Sequence, residues 1–265
     1  MLFSLLICLV GGIAAGLLSG MLGIGGGILI VPLLIYLLPI MGLPASIVVP
    51  TAIATSLATI MLTTLSSARA HAKRGYVDWA WVKLLGPSLI AGGLVGAYLG
   101  TRIPPEILQR IFAAVLIFLA VHMIWKHRPK SVDAQINRPI ARAFASVIGV
   151  VSALVGIGGG ALIVPLLHFY QVAMRNAVAV AAVCSVLLAG FGSLTYMLAG
   201  PAPSASGVSG LIGYVYLPAW LAISTTSMIF ARIGAAIAHR LPVRYLQRAF
   251  AVLLISVALH LFFGR

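Results

Sequence analysis

The sequence predicts an all-α polytopic membrane protein built as an inverted internal repeat, and three observations carry that prediction. Hydrophobic residues make up 62% of the 265-residue chain and charged residues 8%, against roughly half and a quarter in soluble domains. The twelve residues GIGGGILIVPLL from Gly23 return as GIGGGALIVPLL from Gly156, with eleven of twelve positions identical. Finally, Lys and Arg sit in short gaps between apolar runs, where topology-determining charge belongs.

Read between breakers, the chain gives ten apolar segments. The first, residues 2–22, carries no charge and has a Gly12-Gly16-Gly20 seam suited to helix packing. It lacks the basic start of a signal peptide and has a mid-chain counterpart, so it reads as a mature helix. The glycine break follows, then segment two at 28–40. Segment three, 45–67, bears Thr51, Thr55, Thr59 and Thr63 on one helical stripe. Segment four, 79–101, has a second small-residue seam, Gly92-Gly96-Gly100, and segment five is 106–125. The second half repeats the series at 143–156, 161–173, 177–199, 216–239 and 246–263. Gly96, Arg102 and Pro104 are answered by Gly234, Arg240 and Pro242, and His122 by His260. The expected organisation is a first membrane repeat at 1–125, a basic linker at 126–142 and a second, inverted repeat at 143–265.

Charge placement sets the orientation. Twelve basic residues go to the cytoplasmic side when Arg69, Lys73, Arg74, the linker, Arg175 and the stretch from Arg240 to Arg248 are placed there. Each half then has an odd number of segments, and the halves enter the membrane in opposite senses. A parallel repeat with one segment miscounted is the alternative. Segments two, six and seven, at about 13–14 residues, are short for a crossing of about 20. Read as paired half-helices that enter and return, they leave three full crossings per half and keep the inversion.

The glycine breaks carry the chemistry. Gly25, Gly26 and Gly27, and Gly158, Gly159 and Gly160, cannot sustain a helix, and each run is followed by a stretch that can start one. The new helix would turn its free N–H groups and positive dipole end into the break. Two such ends converging near the midplane form an anion site without a charged side chain. Glycines that only allow close packing are the competing reading of each copy, and duplication in an inverted pair favours the solute site. Thr55, Ser56 and Ser185 follow the breaks and are candidate substrate contacts, although such hydroxyls often bond their own helix. Arg232, inside segment nine, is either an anion partner or a side chain that snorkels to the interface.

The duplicated glycine-proline element, the Ala54-Thr55-Ser56 stretch and the basic mid-chain linker together resemble the TauE/SafE family of sulfite and organosulfonate exporters, over essentially the whole chain. The resemblance implies a small sulfur-containing anion moved outward across a bacterial inner membrane. The second half departs from the first where Val183-Cys184-Ser185 replaces Ala54-Thr55-Ser56.

Other function classes fit less well. The net charge of +14 is spread among loops and marks no nucleic-acid face. Asp78, Glu106 and Asp133 are the only acidic side chains, all in loops or at interfaces, which leaves no buried proton relay. Export of an anion from a negative cytoplasm needs no coupling ion, since about 2.3 kcal/mol per charge per 100 mV already favours it. Backbone carbonyls remain open as a Na⁺ site. An intramembrane enzyme would need a nucleophile element or clustered ligands, and neither is present. A non-transporting scaffold would need no paired breaks. Cys8 and Cys184 read as buried apolar side chains, so no metal site or cofactor is expected. The expected partners are the anion and the bilayer; a homo-oligomer is compatible with the sequence, which does not fix the oligomeric state.

Overall fold

The computed structural model describes the backbone of residues 2–22, 26–124, 137–200, 209–238 and 243–263, and the side chains of 6–20, 26–122, 137–200, 209–231, 233–234 and 251–262. Among these residues there are ten helices: α1 (Leu2–Leu22), α2 (Gly27–Ile40), α3 (Ala45–Lys73), α4 (Trp79–Gly100), α5 (Pro105–Ile124), α6 (Arg138–Val155), α7 (Gly160–Phe169), α8 (Met174–Ala199), α9 (Leu217–Ala238) and α10 (Val243–Phe263). One short hairpin, β1 (Leu211–Ile212) with β2 (Val215–Tyr216), precedes α9. The protein is an all-α polytopic membrane protein. By length and composition, five described stretches can cross a bilayer: all of α3, α4, α6 and α8, and Pro105–His122 of α5.

Helix starts follow local chemistry. Asp78 caps α4 by accepting the Ala80 N–H at 3.0 Å. Asn137 accepts the Ile140 N–H at 3.4 Å, and Pro139 occupies the first turn of α6. These two residues start α6 at Arg138, earlier than its apolar run suggests. It is therefore 18 residues long and not one of the short segments. By contrast α2 and α7 stay short, at 14 and 10 residues, about 21 and 15 Å at 1.5 Å per residue. Each contains one proline of the repeated motif, Pro32 and Pro165, which removes a helix hydrogen bond.

Packing exchanges helices between the halves. Gly12 lies on the backbone of Ile223 and Gly16, one turn on, on that of Ser227, so α1 and α9 run side by side in the same sense. Gly92 on Ser146 and Gly96 on Val150 do the same for α4 and α6. These contacts obey the repeat: Gly16–Ser227 corresponds to Gly149–Leu89, and Gly234–Leu17 to Gly96–Val150. A β-carbon at any of these glycines would overlap the facing main chain, which is why the seams demand glycine. Gly100 is different and faces the Tyr196 phenol.

Equivalent helices meet in opposite senses. Gln109, near the start of α5, donates through Nε2 to the Leu261 carbonyl near the end of α10, at 3.0 Å. Leu57 of α3 reaches Gly192 of α8, while Met61 reaches back to Gly190. A pseudo-twofold along the helices would make such pairs parallel, so the axis lies across them. Helix α3 is buried at every position from Val48 to Ile60 and forms the centre of the molecule.

Candidate functional site

The two helix caps at the breaks have matching backbones. Gly26 caps α2 with φ 71° and ψ −17°, and Gly159 caps α7 with φ 81° and ψ −25°. Gly156, which ends α6, and Gly158 are also left-handed, at φ 73° and 76°. An L-residue rarely holds even one such angle, so glycine is required here for conformation. Neither helix start has a side-chain cap. The first backbone bonds are Leu29 and Ile30 to the Gly26 carbonyl, and Leu162 and Ile163 to that of Gly159. The N–H groups of Gly27, Ile28, Gly160 and Ala161 thus have no partner among the described residues, at the positive ends of α2 and α7.

Helix α3 brings the breaks together. Ser56 Oγ donates to the Gly156 carbonyl at 2.9 Å, with both groups buried. A β-carbon at Gly27 would overlap that same oxygen and would stand 3.0 Å from Ser56 Oγ. Ile60, one turn further along α3, packs on both Gly27 and Gly158. The start of α2 therefore touches the end of α6, with α3 bracing the junction. On the other side, Leu188 of α8 packs on Gly159, and Ser185 is buried one turn before it.

Not every expected residue joins this junction. Thr55 is buried, but its Oγ1 accepts the N–H of Tyr216 at 3.0 Å and so anchors the β-hairpin. Its counterpart Cys184 packs in the apolar cluster with Trp81, Val82 and Val180. Further along the stripe, Thr59 donates to the Thr55 carbonyl at 2.8 Å and Thr63 to that of Ile60 at 3.1 Å. Gly25 lies outside the described residues, and Arg232 lies on α9 with its side chain outside them. The backbone at 232 falls between Ser227 and Gly234, alongside the stretch of α1 that leads to Ser19.

Two serines at the breaks went unread in the sequence. Ser152, in the last turn of α6, accepts the N–H groups of Gly156 and Ile157 on its carbonyl, at 2.9 and 3.1 Å. Its Oγ is fully buried without a partner among the described residues, 3.7 Å from where a β-carbon of Gly159 would stand. Ser19 holds the same place in the first half: a β-carbon at Gly26 would lie 3.3 Å from its Cβ and 3.6 Å from its Oγ. The signal was present, because the duplication extends upstream from Gly23 and Gly156 to a serine four residues earlier in each copy.

Comparison with known proteins agrees with this architecture. The family model described as sulfite exporter TauE/SafE matches residues 8–261. A protein of Haemophilus influenzae described as "probable membrane transporter protein" is 37% identical, covering 97% of this chain and 98% of its own length. Proteins with the same description from Methanocaldococcus jannaschii and Bacillus subtilis are 28% and 26% identical, covering 89% and 98% of this chain and 87% and 98% of their own. No solved structure matches. The family and its relatives are transporters and not enzymes, a small anion fits the family's description, and the paired breaks are the kind of irregular backbone that transporters use. A multi-pass membrane transporter of the TauE/SafE family is what this chain is.

Proposed function

We propose that the chain exports a small sulfur-containing anion, sulfite or an organosulfonate, by alternating access around the two glycine breaks. The site comprises Gly25, Gly26 and Gly27 with Gly158, Gly159 and Gly160, flanked by Ser56 and Ser185. Thr55 supports it through the hairpin, and Arg232, on α9, is the proposed anion partner. The single observation that carries this reading is the junction at which Gly27, Ser56 and the Gly156 carbonyl meet across the two halves. Irregular backbone is tolerated in a membrane only where protein or a water-filled cavity satisfies it. Here, N–H groups without a partner among the described residues stand at both helix starts, and they suit an anion.

The bacterial inner membrane, with the basic linker on the cytoplasmic side, is the proposed setting. The membrane potential then drives the anion outward. Flux into and out of proteoliposomes, measured for sulfite, a sulfonate of net negative charge such as methanesulfonate, and thiosulfate, tests the reading. Movement of at least one of them is expected, and folded protein that moves none would sink it.

A further inference from the structure

We infer that Ser152 is a specificity-determining donor for the –SO3 head group shared by sulfite and sulfonates, and that Ser19 is its counterpart in the first half. The inference rests on the transport reading above and deepens it by naming what recognises the ligand.

Thr59, Thr64, Thr195, Thr225, Thr226 and Ser256 each donate to a carbonyl three or four residues earlier in their own helix. That is the ordinary way to satisfy a hydroxyl in an apolar medium. Among the described residues Ser152, Thr51 and Ser224 are buried helical hydroxyls that do not, and Ser152 is set against a break, beside Gly159. An unpaired buried hydroxyl is costly, so the residue is held ready for a partner that comes and goes.

The surroundings say what that partner is. The Ser152 carbonyl already accepts two N–H groups, the Gly156 carbonyl accepts Ser56 Oγ, and the Gly159 carbonyl accepts Leu162 and Ile163. These three oxygens are thus already hydrogen-bonded. Without a partner among the described residues are donors at the same place: the Ser152 hydroxyl and the N–H groups of Gly160 and Ala161, at the positive end of a ten-residue helix. Three donors suit the three oxygens of an –SO3 head, and the rest of the molecule is left unread. Sulfite and sulfonates with different tails should then compete for one site. A halide, with a single acceptor centre, should compete poorly.

The test is the concentration dependence of sulfite flux in proteoliposomes for the wild type, S152A, S152C and S256A, with taurine and chloride as competitors. Removing the donor should raise the half-saturating sulfite concentration about tenfold in S152A, with a smaller rise in S152C, whose thiol is a weaker donor. S256A should match the wild type. The thermal midpoint of ligand-free S152A should stay level or rise, because an unpaired buried hydroxyl is lost. A packing role predicts the opposite pattern, a fallen midpoint with unchanged half-saturation, and that pattern overturns the inference. If S152A does not fold, unchanged half-saturation in S152C overturns it, as does competition by chloride as strong as that by taurine. Wild-type flux with unaffected variants defeats this inference alone, whereas absence of wild-type flux defeats the transport reading and this inference with it.

Discussion

Ser56 in the first half donates a 2.9 Å hydrogen bond to the carbonyl of Gly156 in the second, one hundred residues along the chain. This bond ties the centre of α3 to the turn that ends α6. Replacing Ser56 with alanine leaves a buried carbonyl unpaired and should cost about 1–3 kcal/mol. The expected outcome is a lower thermal midpoint for S56A in detergent. S56T, which keeps the hydroxyl, should lose less.

Two glycines should respond to alanine for different reasons. At Gly27 a β-carbon overlaps the Gly156 carbonyl, so G27A should abolish transport and sharply lower the yield of folded protein. At Gly75 there is open space and only a left-handed φ of 71°, so G75A should cost about 1–2 kcal/mol and leave transport intact. Equal behaviour of the two in flux and size-exclusion measurements would count against the junction at Gly27.

Thr55 is expected to act on the hairpin and not on the anion. In T55V the Tyr216 N–H loses its acceptor, and amide exchange at Tyr216 should accelerate, with a destabilisation of about 1–3 kcal/mol. T55S should restore both. A rise in half-saturating sulfite for T55V with amide exchange unchanged would instead place Thr55 on the substrate.

Potential alone should drive the flux. An imposed 100 mV is worth about 2.3 kcal/mol per charge, so anion accumulation should follow a potassium diffusion potential and reverse with its sign. A sodium or proton gradient at zero potential should do nothing. Accumulation that tracks either gradient would refute potential-driven export while leaving transport standing.

Orientation can be checked by labelling. Cys8 and Cys184 are both buried, so an introduced thiol is the reactive one. In intact cells, an impermeant maleimide should label T101C, beyond the end of α4, and should reach S131C in the basic linker only after permeabilisation. The reverse pattern would invert the proposed topology.

Much of this was legible because membrane helices advertise themselves by composition, and because the chain carries its own alignment. The starts and ends of α1, α2 and α4 follow from apolar runs bounded by glycine, proline and charge. The start of α6 was less visible, since Arg138 and Arg142 look like linker charge although both lie exposed on the first turns of a helix. The hairpin before α9 was unreadable because strands of two residues show no period. At the site, the glycines could be read from their inability to remain helical. Ser152 and Thr55 could not be sorted by type: one hydroxyl is unpartnered at the break and the other is spent on a backbone N–H. That difference depends on which neighbour lies opposite, a tertiary fact that no spacing along the chain records.

The exchanged pairing of α1 with α9 and of α4 with α6 has a consequence for synthesis. When α1 leaves the ribosome, the surface it will pack on is still some two hundred residues from being made. Until then its glycine seam must face lipid or a chaperone, so neither half can be expected to mature as a separate product. The same exchange means that, in the proposed alternating-access cycle, a mobile unit holding α1 also carries α9 and is confined to neither half of the chain.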